Sequence, residues 1–193
     1  MTTTTAKTKT KKTESPIEDL PTNPFTFEVL AVVSKQRTNA RKIEALKKFE
    51  HPSLKSLFIW NFDESVISML PEGEVPYASV GEQNSFSGTI SGKISDAVNK
   101  MTELNSSSLG ASDQGKSSIR KEYQRFYNFV KGGNDGLSSL RRETMFINVL
   151  QGLHPLEAEI LCLVKDKNLQ SKYKITKDLV SSAYPDINWG NRS

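Results

Sequence analysis

From Leu137 to Asn191 apolar residues recur at helical spacing in three successive runs, each with its own start and stop signals. The first spans about Leu137 to Leu153. Leu140, Phe146, Ile147, Leu150 and Leu153 form a broad stripe with Arg141 and Asn148 opposite, and Gly152 and Pro155 close it. His154-Pro155 opens the second. Leu156, Ile160, Leu163 and Val164 sit at i, i+4, i+7 and i+8, and Ala158, Leu161 and Cys162 cover the other sides, so this helix is expected to be buried nearly all round. Its first turn carries Glu157 and Glu159 and its end carries Lys165 and Lys167, the arrangement a helix dipole favours. Asn168 to Ile175 reads as a connection. Thr176 then caps a third helix, with Leu179, Val180, Ala183 and Tyr184 apolar and Pro185 as its stop. Trp189 follows closely enough to fold back onto the bundle.

The preceding chain follows the same grammar more loosely. Pro24 opens a helix candidate to about Gln36, since proline at a first helical position forfeits no hydrogen bond, with a strand as the alternative because the run is rich in β-branched residues. Thr38 caps an amphipathic helix with Ala40, Ile43, Leu46 and Phe49 inside, to about Glu50. Pro52 starts another, with Leu54, Leu57, Phe58 and Trp60 apolar. Asp63 is expected to cap a short helix from Glu64 to Leu70, ended by Pro71. A loop follows with an extended piece around Val75 to Val80. Residues 85–118 are rich in Ser, Gly and Asn and bracket one helix, Ile94 to Leu104. Ile119, Tyr123, Phe126, Tyr127 and Val130 then form one stripe, ended by Gly132-Gly133. The expected fold is mainly α, an irregular helical bundle. It has a disordered basic arm (1–23), an N-terminal helical half (24–83), a flexible linker holding one helix (84–118) and a C-terminal helical half (119–193). The two halves are expected to share one core.

Several chemistries lack their residues. No apolar run is long enough to span a membrane. The Thr- and Lys-rich N-terminus has no apolar stretch and does not read as a secretory signal. The lone Cys162 rules out an internal disulfide framework and suits a reducing interior. His51, His154 and Cys162 do not make a zinc set, and each histidine precedes a proline at a helix start, where a ring caps the backbone. Gly88 to Lys93, GTISGK, is one residue short between its glycines and has Ile94 where a phosphate loop needs Ser or Thr. Cys162 lies in an apolar helix, no Ser sits in a nucleophile elbow, and Glu157 and Glu159 point to different faces. A non-enzyme with no cofactor and no metal is expected.

Charge is the remaining handle. The chain has 26 Lys and Arg against 22 Asp and Glu, a net +4. The excess gathers in three clusters, Lys35 to Lys55, Lys116 to Lys131 and Lys165 to Lys177. Arg37, Arg41, Lys42, Lys47 and Lys48 decorate the second helix, and Arg41 and Lys48, seven apart, share a face. Arg120, Lys121 and Arg125 are interleaved with aromatics that suit a core better than a base stack. Lys172 and Lys174 flank Tyr173 in a connection, a better stacking position. From Ser56 to Gly92 there is no Lys or Arg, while Asp63, Glu64, Glu72, Glu74 and Glu82 are acidic; the plain alternative is that this segment faces the basic helix. The partner expected from these clusters is an acidic protein surface or a nucleic acid. No zinc-finger or RNA-recognition signature is present, and the last two helices lack a short Gly-containing turn between them.

Two blocks carry a resemblance: VSKQRTNARKIEALKKFEHPSLKSLFIWNFDESVISMLPEGEVPY, Val33 to Tyr77, and LQGLHPLEAEILCLVKDKNLQSKYKITKDLVSSAYPDINWG, Leu150 to Gly190. Both resemble a family of small proteins of T4-like tailed phages, including phages of marine cyanobacteria, known only as a domain of unknown function. The resemblance implies a viral protein acting in the host bacterial cytoplasm or carried in the virion. It brings no site residues. Together with the charge pattern it leads to an expected non-enzymatic accessory protein that binds a macromolecule in replication, transcription or host takeover. Sequence-independent DNA or RNA binding and a structural role in the virion are the alternatives. Oligomeric state stays open.

Overall fold

The computed structural model describes residues 16–73 and 117–192. The fold is mainly α-helical, as the apolar periodicity predicts. Helix α1 is Thr26–Lys35, α2 Asn39–Lys48 and α3 Pro52–Phe62. After the interval come α4, Ile119–Glu122, and a 3-10 helix, Tyr123–Phe129. Then follow α5 (Ser139–Gly152), α6 (Pro155–Lys165), α7 (Leu169–Lys172) and α8 (Lys177–Ala183). Residues 1–15, the extended piece near Val75, the loop Gly88 to Lys93 and the helix expected over Ile94 to Leu104 lie outside the described residues. No described helix is long and apolar enough to cross a membrane.

Helix starts follow local chemistry. Thr38, Ser138 and Thr176 accept hydrogen bonds from the third backbone N–H beyond them. His51 and His154 cap α3 and α6 in the same sense: each Nδ1 accepts from the N–H two residues on, with proline at the first helical position. The histidines are therefore caps, as their Pro neighbours suggest.

Both sides of the interval feed one core. Helix α3 packs on α6, α2 on α8, and α1 on α2 and α6. Leu57, Phe58 and Trp60 of α3 meet Ile160, Leu161 and Val164 of α6 in one buried cluster. Each such side chain contributes about 1.5–3 kcal/mol by leaving water. Trp60 packs against Phe126 and Phe129, and Phe129 meets Phe146 edge-on at 5.2 Å. The Tyr184 hydroxyl donates to the Leu46 carbonyl at 2.7 Å, fastening α8 to α2. Trp189 folds back and packs partly buried on the core.

Four expectations need correction. Asp63 ends α3 instead of opening a helix. Its Oδ1 is occupied by the N–H and hydroxyl of Ser65 and its Oδ2 by the Gly190 N–H and Arg192 Nε, so it anchors the C-terminal tail. Residues 67–69 are extended: Met69 N–H donates to the Phe129 carbonyl and Lys131 N–H to that of Ile67, around an antiparallel bridge between Ser68 and Val130. Second, the stripe from Ile119 is α-helical only to Glu122 and then tightens into the 3-10 form. A period of three keeps Tyr123, Phe126 and Phe129 on one side and turns Tyr127 outward, 54% exposed. Third, Leu140 is 76% exposed in the first turn of α5 and Arg142 is buried instead. Arg142 Nε donates to the Asn128 carbonyl at 2.8 Å and Nη2 to that of Asn134 at 3.0 Å, which holds the turn before α5. Fourth, the arm drawn to residue 23 is not wholly free of the core: from Pro16 on it is described, and Ile17 is buried among core side chains.

Candidate partner-docking surface

Helix α2 exposes its charged face because Ala45 and Leu46 turn inward against α8 and α1. Arg41 forms an ion pair with Glu44 at 2.8 Å, one turn along the helix. Lys48 donates to Asp19 at 2.5 Å and to the Ile17 carbonyl at 3.1 Å. Arg37 and Lys47 are exposed and have no ion-pair partner among the described residues. On the other flank Lys42 is half-buried, and its Nζ donates to the Lys174 carbonyl at 2.5 Å. That contact brings the first and third basic clusters to one surface, with the Lys174 side chain exposed beside it. Among the described residues the acids that pair with α2 are Glu44 and Asp19. The described members of the acidic segment, Asp63, Glu64 and Glu72, do not pair with it.

The second cluster is more enclosed. Arg120 is half-buried; burial lowers its pKa while the charge of Glu157 opposes that. His51 is held below its ordinary value by burial and by the charge of Arg120, so its ring stays neutral and suited to capping α3. Arg125 pairs with Glu122 at 3.2 Å, and Lys121 is exposed. In the third cluster Lys172 donates to Glu159 at 2.5 Å. The expectation for Tyr173 is overturned. It is 6% exposed, and burial pushes its phenol upward in pKa, so it presents no face for stacking. The reason is visible in the sequence: Lys172, Tyr173, Lys174 and Ile175 alternate polar and apolar, the period of an extended segment with one side inward. Lys177 lies over the Trp189 ring at 5.1 Å.

Three buried charges went unsingled in the sequence. Glu157 is fully buried, and its two oxygens accept the N–H groups of Thr26 and Ile119, both at 2.8 Å, joining the starts of α1 and α4 to α6. Burial pushes its carboxyl up against these hydrogen bonds. The Lys165 ammonium donates to the carbonyls of Pro71 at 2.7 Å and Gly73 at 3.0 Å and pairs with Asp166. Arg142 is the third. An acid in a first turn and a base in a last turn both read as dipole complements, which masked the first two. Cys162 is half-buried, and burial pushes its thiol up to about 12. No group of three or more His, Cys, Asp or Glu among the described residues is placed to hold a metal ion.

A model of a family of unknown function, DUF6433, matches residues 29–91 and 85–171 of the chain. No curated protein and no solved structure matches it.

Proposed function

The chain belongs to the DUF6433 family of unknown function, and on that premise we propose that it is a non-enzymatic accessory protein of T4-like tailed phages. It acts in the host cytoplasm by docking an acidic protein surface through α2 and the connection before α8. The observation that carries this reading is the seating of Lys42 on the Lys174 carbonyl, which joins two basic clusters across 132 residues. Arg37 before α2, Lys47 in its last turn and Lys174 at the contact keep exposed charge. The burial of Tyr173 removes the stacking platform that single-stranded nucleic acid would use, which favours an acidic protein. Replication, transcription and host takeover are the settings in which such a partner is met. The test is affinity capture of the full chain from infected cells, with and without nuclease. The Arg37→Glu, Lys47→Glu, Lys174→Glu variant is expected to lose a nuclease-resistant partner at least tenfold while melting as the wild type does. Undiminished capture refutes the surface. Capture abolished by nuclease transfers the role to direct nucleic-acid binding, whose affinity falls steeply with salt.

A further inference from the structure

The described end of the N-terminal arm lies across the basic helices. Ile17 is buried, Leu20 packs partly buried on the core, and the two residues between them are acids. Glu18 pairs with Lys35 of α1 at 3.4 Å and Asp19 with Lys48 of α2 at 2.5 Å, while the Ile17 carbonyl accepts from Lys48 at 3.1 Å. Pro16 and Pro21 bracket the four residues, and Pro21 also restricts Leu20 before it to extended backbone, which trims the entropy lost in laying the segment down. The hold is weak by design of its parts. Asp19 is 92% exposed and Glu18 59%, so water and salt screen both pairs. Ile17 supplies the one buried anchor among the four residues, with Leu20 only partly buried. Lys48 lies on the same face of α2 as Arg41, so the segment covers one end of the basic stripe.

We propose that the surface of α1 and α2 bearing Lys35 and Lys48 is a docking site for an extended partner segment of the pattern apolar, acid, acid, apolar. Ile17-Glu18-Asp19-Leu20 is the chain's own occupant of that site, an autoinhibitory strap that the partner displaces. The proposal rests on the reading of α2 as the docking face and adds to it the partner's chemistry and its regulation. The strap shows what the site accepts: an aliphatic side chain that reaches the core and two carboxylates placed for the ammonium groups of different helices.

The test uses the full chain and a fluorescent peptide of residues 16–23, PIEDLPTN, followed by anisotropy. A strap-detached variant, Ile17→Asn with Glu18→Gln and Asp19→Asn, is expected to bind the peptide at least tenfold more tightly than the wild type, whose site is occupied. Added salt weakens the binding, Lys35→Glu with Lys48→Glu abolishes it, and a PIQNLPTN peptide does not bind. Equal binding by wild type and variant, or no binding by a variant that melts as the wild type does, overturns the proposal. Should the triple change unfold the protein, Glu18→Gln with Asp19→Asn keeps Ile17 and carries the same comparison, with about a threefold gain expected and none refuting it. The peptide reads Lys35 and Lys48 whereas the capture experiment reads Arg37, Lys47 and Lys174. Lost peptide binding with intact capture removes the strap alone; lost capture specificity with intact peptide binding removes the partner reading alone.

Discussion

The Glu157 carboxylate accepts a 2.8 Å hydrogen bond from the backbone N–H of Thr26, 131 residues earlier in the chain. Its second oxygen does the same for Ile119, so one side chain closes the open ends of two helices inside the core. In Glu157→Leu both amides stay buried and lose their acceptor, at about 1–3 kcal/mol each. The expected loss of unfolding free energy is ~2–6 kcal/mol in urea titration, and a loss below about 1 kcal/mol contradicts the capping role.

Two buried carboxyls give pH dependences of opposite sign. Burial pushes Glu157 above its ordinary 4.5, so the folded state holds that proton more tightly than the unfolded chain does. Its stabilising contribution is full below the ordinary glutamate value and fades as pH rises through the folded one. At Asp63 burial also pushes upward, but the N–H of Gly190, both donors of Ser65 and Arg192 outweigh it and hold the carboxyl below 3.8. That contribution is full above the ordinary aspartate value and is lost as pH falls through the depressed one. Melting temperature against pH should therefore flatten on its acid limb in Asp63→Asn. In Glu157→Gln it should flatten on the limb just above the ordinary glutamate range, and unchanged curves would remove the assignment.

Gly133 and Gly152 should respond to alanine in opposite ways. A Cβ on Gly133 would stand 1.9 Å from the backbone oxygen of Tyr127, at the turn that follows the 3-10 helix. Backbone has to shift there, at a cost of about 1–3 kcal/mol. Gly152, the last residue of α5, has open space at its Cβ, and alanine is the better helix former by up to about 1 kcal/mol. Thermal melts of the two variants, one lowered and one unchanged or raised, check the contrast.

With its thiol pushed up to about 12, Cys162 stays protonated and unreactive in the folded protein at pH 8. Labelling by a disulfide reagent should run on the order of a hundredfold slower than in denaturant. Rapid labelling of the native protein, with no loss of helical signal, would show an accessible thiolate instead.

Helix starts were legible because each is written within four residues: Thr38, His51-Pro52, His154-Pro155 and Thr176 all cap where local chemistry places them. The 3-10 segment was not, since Ile119, Tyr123 and Phe126 fit either helical form and only the fates of Tyr127 and Phe129 separate the two. Arg142 was invisible because its acceptors are carbonyls of a turn, and carbonyls leave no mark in side-chain pattern. At the docking surface the sign of the charge was legible and its neutralisation was not. Lys48 and Asp19 are 29 residues apart, and nothing local announces that they meet. Tyr173 was misread by composition, two lysines suggesting solvent, when its alternation with Ile175 pointed inward.

The bond from Tyr184 to Leu46 also sets a clock. Their 138-residue separation means that α2 leaves the ribosome long before the helix that covers it exists. At ~5–20 residues per second, Leu46 and Ala45 wait on the order of 10 s for α8 to be synthesised. Over that time α1 is already there to cover part of this apolar face, and the part that α8 takes stays open. Native closure of this face is therefore a late event in the life of each molecule.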